Sequence, residues 1–298
     1  MRCAIGGLEL EYYGDYQNCH SFRTAFNRLA EETFALQFEP WYRQGFWSDT
    51  YRVHTLFDGE CAVANVSSSM MEFQHRGQAL HCVQLGTVMT APAYRGRGLS
   101  RFLMERVLNE WQGQCDFIYL YANDSVLDFY PRFGFRTAQE YEDICFLPGR
   151  QGPPVRRLKP DREEDRAVLL RCLRQYGNPF STLSLTRGEE LLMFYAIGPF
   201  CDHFWYIESC DTVAVAVREG GTLFCEELFA PAGAVLEDIL HALAGLEPCN
   251  VQFGFSLREA LRAEKGLLQE EDTTLFILAS EETIFERERL RFPLLSHT

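Results

Sequence analysis

The run Pro148-Gly149-Arg150-Gln151-Gly152-Pro153-Pro154 constrains this chain more than any other feature. Proline lacks an amide hydrogen and has a fixed φ, and glycine is costly to hold in a regular element. Three prolines and two glycines in seven residues therefore end any helix or sheet interior. The run divides 298 residues near their middle, and each half has ordinary domain size. The expected domains are residues 1–148 and 154–298. Apolar residues make up 47% of the chain, enough to fill two cores.

The halves read differently in detail. In the first, a strand near Leu8–Tyr13 precedes a helix at Cys19–Phe34, where Phe22, Phe26 and Leu29 recur at helical spacing. Trp41 and Tyr42 fall on a second helical turn. Strands follow at Tyr51–Phe57, Cys61–Phe73 and Ala79–Thr90, with Asp58-Gly59 and Arg76-Gly77 as turns. A Gly/Arg loop (Arg95–Ser100) leads to a helix at Ser100–Trp111. An apolar strand at Phe117–Tyr121, a short helix at Ser125–Phe133 and a strand or hairpin at Phe135–Leu147 complete the half.

The second half repeats this order at a period of about 140 residues. Its helix is Glu164–Tyr176, after a strand-like Val155–Leu158. Its strands are Phe204–Ile207, Thr212–Val217 and Thr222–Phe229. A helix at Ala234–Leu246, a strand at Val251–Ser256, a helix at Leu257–Lys265 and a strand at Thr273–Leu278 follow. Ala230-Pro231 echoes Ala91-Pro92, but nothing there matches the Gly/Arg loop. The expected fold class is α+β, two mostly antiparallel mixed sheets flanked by helices in tandem.

Charge and cysteine narrow the function. The net charge of −14 repels nucleic acid and anionic membrane and attracts cationic ligands. The eleven cysteines form no CxxC pair and no Cys/His cluster with zinc spacing, so no metal is expected. Cys61, Cys82 and Cys225 lie in apolar runs and read as buried reduced thiols of a cytoplasmic protein. The N-terminus turns acidic early, unlike a signal peptide, and no apolar run reaches the ~20 residues of a membrane span.

The chemistry concentrates in Thr87-Val88-Met89-Thr90-Ala91-Pro92-Ala93-Tyr94-Arg95-Gly96-Arg97-Gly98-Leu99-Ser100. A strand ends, a glycine turn follows and a helix begins. Unsatisfied N–H groups and the positive dipole end at such a helix start favour a phosphate. No Walker Gly-Lys-Ser/Thr is present, and a dinucleotide fingerprint lacks its third glycine because Arg101 stands there.

Arg95-x-x-Gly98-x-Ser100 resembles the acyl-CoA loop of the GNAT superfamily, with Ser100 in place of the usual Gly or Ala. Phe117–Phe135, FIYLYANDSVLDFYPRFGF, resembles that family's later segment, with Asn123 and Tyr130 seven residues apart. The resemblance implies an N-acetyltransferase using acetyl-CoA as cosubstrate. It assigns Val88, Met89 and Thr90 to the pantetheine arm, and Gly96, Arg97, Gly98, Leu99, Ser100 and Arg101 to the pyrophosphate. Asn123 would bond the cofactor arm, and Tyr130 would protonate the departing thiolate. A backbone N–H near Met89 would stabilise the oxyanion.

The general base is missing. The histone-acetyltransferase branch carries a Glu eleven residues before the loop's Gln/Arg, where this chain has Gln84. The ribosomal-protein branch has a Glu where Ile118 stands. An amide takes up no proton at neutral pH, though it can orient a water. Asp124 and Asp128 read as helix-start residues in a Ser125–Asp128 capping box, His81 as a core histidine and Glu72 as a solvated carboxylate. On the acceptor side, Phe38, Trp41, Tyr42, Phe46 and Trp47 with Glu39 suit a cationic amine or a plain hydrophobic cap. A non-catalytic acyl-CoA sensor is the rival reading, and an oligomer is compatible with either.

Overall fold

The computed structural model describes residues 1–258, 262–279 and 283–297. The first half contributes β1 (Arg2–Ile5), β2 (Leu8–Gly14), α1 (His20–Phe34), α2 (Glu39–Arg43), β3 (Tyr51–Asp58), β4 (Cys61–His75), β5 (Gln78–Thr90), α3 (Leu99–Trp111), β6 (Phe117–Ala122), β7 (Arg136–Thr137) and β8 (Tyr141–Leu147). The second contributes β9 (Arg156–Arg157), α4 (Glu163–Gln175), β10 (Leu183–Arg187), α5 (Glu189–Ile197), β11 (Phe204–Ile207), β12 (Thr212–Glu219) and β13 (Thr222–Phe229). Then come α6 (Leu236–Ala244), β14 (Cys249–Phe253), β15 (Glu264–Leu267), β16 (Thr274–Leu278) and α7 (Ile284–Glu288).

Two mixed sheets result. The first runs β1-β2-β3-β4-β5-β6-β16-β7, with β10 added beside β4; the second runs β15-β8-β14-β13-β12-β11-β9. All pairs are antiparallel except β5–β6 and β13–β14. In each sheet the parallel pair is joined through a helix, α3 or α6, so both halves share one strand–helix–strand order. The halves also exchange strands: the first gives β8 to the second sheet, and the second gives β10 and β16 to the first. β8 pairs with β14, and β16 pairs with β6. The chain thus enters the second sheet after β7, ahead of the Pro/Gly run, and Pro148–Pro154 links two segments beyond that crossing.

Apolar faces explain these placements. Leu103, Met104 and Val107 of α3 are fully buried against Val83, Leu85 and Ile118. Each such side chain contributes about 1.5–3 kcal/mol by leaving water. Cys145 and Leu147 of β8 join the second core, and Phe276 of β16 joins the first. Among the described residues no helix is long and apolar enough to cross a membrane.

Several expectations need correction. Residues 124–133 form two 3₁₀ turns, Asp124–Val126 and Tyr130–Phe133, because Pro131 interrupts an α-helix and Asn123 rather than Ser125 supplies the cap. Part of the expected helix Leu257–Lys265, residues 259–261, lies outside the described residues; its end belongs to strand β15. Strand β10 and helix α5 were not anticipated. The sequence of α5, EELLMFYAI, is apolar on most sides and carries no helical stripe. His81 and Cys61 are exposed rather than core residues, each near a strand end.

Candidate active site

The site begins where β5 leaves β6. Their parallel register holds for Cys82–Phe117, Val83–Ile118 and Gln84–Tyr119, then stops. Just beyond, the β4–β5 register slips between Asn65 and Ser67, and Thr87 takes φ +42°. A β-branched residue in that region marks strain of about 1–3 kcal/mol, here held by a bulge. The neighbourhood over-determines it. Asn65 Nδ2 donates to the Thr87 carbonyl at 3.0 Å, Thr87 Oγ1 donates to Ser67 Oγ at 2.6 Å, and Tyr51 Oη lies 2.9 Å from Thr87 Oγ1. The bend sends Val88, Met89 and Thr90 away from β6 and opens a fork.

A cleft of about 820 Å³ fills the fork. Val88, Met89, Thr90, Arg95, Gly96 and Ser100 line one wall, and Asn123 and Tyr130 line the other. A second cavity of about 410 Å³ lies against the loop and adds Gly98, Leu99 and Arg101. Gly96 and Gly98 sit at φ +74° and +83°, and a Cβ on either would meet nothing within 4 Å. Glycine is needed there for its backbone freedom, not for space. Gly98 starts α3, no side chain caps that end, and the helix's first hydrogen bond runs from Phe102 N to Gly98 O. The N–H groups of the first turn are therefore available to an anion. Thr90 Oγ1 and Ser100 Oγ, 2.6 Å apart, tie strand to helix, and Arg95 Nε donates to Thr90 O at 3.2 Å.

Arg97 stands apart from both cavities; its carbonyl and Cβ pack on Gly6 of the β1–β2 turn, where a Cβ would collide with the oxygen. Arg132, which the sequence reading missed, lines both cavities beside Arg95. Its only signal in the sequence is its position two residues after Tyr130.

Tyr130 is 4% exposed and packs edge-on against Phe129 and Phe135, at 5.2 and 6.1 Å between ring centres. Burial pushes its phenol up to about 12, so it keeps its proton at neutral pH. Its hydroxyl bonds to no other described residue, which leaves it free to donate into the cleft. Asn123 Oδ1 accepts from Ser125 N at 3.2 Å and Ser125 Oγ at 2.5 Å, so its carbonyl caps a turn and its amide NH₂ is the group open to a ligand.

Gln84 ends the paired part of the fork. It is fully buried between Ser69 and Tyr119 in register, and neither amide atom finds a partner among the described residues. Asp128 is the carboxylate that lines the cleft, and it is exposed. Glu39 is held below the ordinary carboxylate range by Arg23, with Arg43 adding to the effect, so its charge is already matched.

Residues 17–138 match the model of the acetyltransferase (GNAT) domain. No curated protein sequence matches the chain. Among solved structures, a probable N-acyltransferase from Enterococcus faecalis V583 superposes with a TM-score of 0.57 at 14% identity, over 90% of this chain and 72% of its own. Eis1 from Mycobacterium abscessus gives 0.53 at 13% identity, over 89% and 72%. A GCN5-related N-acetyltransferase from Kribbella flavida gives 0.52 at 16% identity, over 90% and 71%. Residues 17–138 thus match a GNAT acetyltransferase domain, and the two-sheet fold is shared with solved structures of GCN5-related N-acetyltransferases.

Proposed function

We propose that this protein is an acyl-CoA-dependent N-acyltransferase that moves the acetyl group of acetyl-CoA to an amine. One observation carries the reading. The uncapped start of α3, the freed edge of β5 and the hydroxyl side of Tyr130 all border the same connected pair of cavities. A pyrophosphate suits the N–H groups of Gly98–Arg101, with Arg95 and Arg132 adding charge. A pantetheine arm suits the backbone of Val88–Thr90, with the Asn123 amide facing it.

The amine nitrogen forms a bond to the acyl carbon as the carbon–sulfur bond breaks. A β5 N–H near Met89 takes up charge developing on the oxygen. Tyr130 donates its proton to the departing sulfur. Gln84 is fully buried and lines neither cavity, so the amine's proton passes to solvent water in the open cleft rather than through its amide. Residues 1–148 hold this chemistry, and most of residues 154–298, together with β8, form a related unit without the loop. Eleven unpaired cysteines fit a reducing compartment, and we place the enzyme in the cytoplasm.

Calorimetric titration with acetyl-CoA, then thiol release against a panel of amines, tests the reading. Binding with amine-dependent release is the expected result. Asp128, the carboxylate among the described residues that line the cleft, is exposed, which favours a second reading, an acyl-CoA sensor; binding with no release from any amine would select it.

A further inference from the structure

We infer that the acceptor is a compact arylalkyl primary amine, and that its aromatic body sits in an apolar pocket closed by α5 of the second half. This deepens the transferase reading and rests on it.

The pocket is distinct from the cleft but meets it. It encloses about 240 Å³ and shares Leu36 and Thr87 with the cleft wall. Phe38, Trp41, Tyr51 and Met71 from the first half line it together with Leu191 and Phe194 of α5. The rings brace one another. Phe38 and Phe194 stack at 5.2 Å, Phe38 and Tyr51 stack at 5.6 Å, and Trp41 meets Phe194 edge-on at 5.8 Å. Trp41 Nε1 donates to Glu190 O at 2.6 Å, which ties α5 to α2. These walls are fixed aromatic faces and edges, the surroundings another ring prefers.

Size sets the class. An apolar cavity of about 150 Å³ accepts benzene, so about 240 Å³ holds one ring and a short chain. Charge excludes a polycation. Among the described residues two carboxylates line the pocket; Glu72 already faces His81 at 3.8 Å and Arg187 at 4.0 Å, which leaves the charge of Glu190, bonded by Ser48 Oγ at 3.1 Å, for one ammonium group. Few carboxylates remain for a second or third ammonium group. With the ring seated, the amine end points along Leu36 and Thr87 into the fork, where the thioester would lie.

Three measurements on the full chain test this. Acetyl-CoA binding is read by calorimetry, and thiol release is compared for 2-phenylethylamine and spermidine. The Leu191→Trp variant, which fills the pocket without touching the cleft, should raise KM for 2-phenylethylamine at least tenfold. Its acetyl-CoA Kd should stay within twofold. Leu191→Ala should raise the kcat/KM ratio of 2-(1-naphthyl)ethylamine to 2-phenylethylamine at least fivefold, and it decides the matter if the Trp variant does not fold. An unchanged ratio overturns the pocket. Release with spermidine but not with 2-phenylethylamine, or with neither while acetyl-CoA binds, overturns the acceptor class and spares the cosubstrate site. No acetyl-CoA binding at all fells the transferase reading and this inference with it.

Discussion

The two parallel strand pairs of this protein, β5–β6 and β13–β14, are built alike and end differently. β5 and β6 part after Gln84–Tyr119, and the opening is lined by first-half residues alone. β13 and β14 part after Cys225–Phe253, but Gly254 N still reaches Cys225 O at 2.9 Å. Gly254 packs so closely that a Cβ there would lie 2.7 Å from Glu226 Cα. The chain itself fills the space beyond. Leu294 N donates to Gly254 O, and Arg291 Nη1 donates to Phe253 O. One fork is left open as a cleft, and the other anchors the protein's own segment 291–294. The difference lies in few residues. Both leading strands shift register, β5 at Thr87 and β13 at Glu226, but the first fork has two glycines at positive φ before α3. The second has Ala230-Pro231 before α6, and its glycine serves close packing.

This contrast can be broken most sharply at Tyr130. Tyr130→Phe should cut acetyl transfer about 10²–10⁴-fold, the range of general acid catalysis, with acetyl-CoA Kd within twofold by calorimetry. Equal turnover would remove the acid role and leave the first fork a binding site only. Next, Gly98→Val forces a β-branched residue to φ +83° at the start of α3. Acetyl-CoA affinity should fall at least tenfold, whereas Gly233→Ala, in the second half's equivalent connection, should change nothing. If both weaken binding alike, the loop is not the distinguishing feature.

A smaller effect probes the closed fork. Gly254→Ala should cost about 1–3 kcal/mol through overpacking and lower Tm by several degrees without altering acetyl-CoA affinity. A change in affinity would mean the two forks are coupled. The smallest effect concerns pH. Burial raises the Glu227 carboxyl of β13 to about 7 from its ordinary 4.5. Its folded form holds the proton more tightly than the unfolded chain does. Its contribution is therefore complete below 4.5 and is lost as pH rises through 7. Tm should fall between pH 5 and 8, and Glu227→Gln, which keeps an acceptor for Asn178 Nδ2, should make that fall shallower. An unchanged slope would assign the pH dependence to Glu140 and Glu226, which are raised to about 7 as well.

Much of the first half was legible because its signals are local. The long hairpin β4–β5 turns at Arg76-Gly77, both at positive φ, where the sequence places the turn. The Gly/Arg loop lies at the start of α3, as the order of residues implies. Where several local signals competed, the reading failed. Pro131 overruled the apolar spacing of Ser125–Phe133, and an apolar α5 left no stripe to detect. Arg132 was missed because nothing in its neighbours says which wall a 3₁₀ turn will present.

By itself, then, the sequence determined the strand–loop–helix around Arg95–Ser100, the Asn123–Tyr130 spacing beside it and the division into two similar runs of elements. Those features depend on hydrogen bonds and side-chain periods within a few residues. Only the tertiary structure decided that β8, β10 and β16 change sheets, that the Gln84 amide finds no partner among the described residues, and that Leu191 and Phe194 face Phe38 and Trp41 across the seam. Such pairings join residues far apart in the chain. Their partners are chosen by which apolar faces remain uncovered once local elements have formed, and that choice has no local signature.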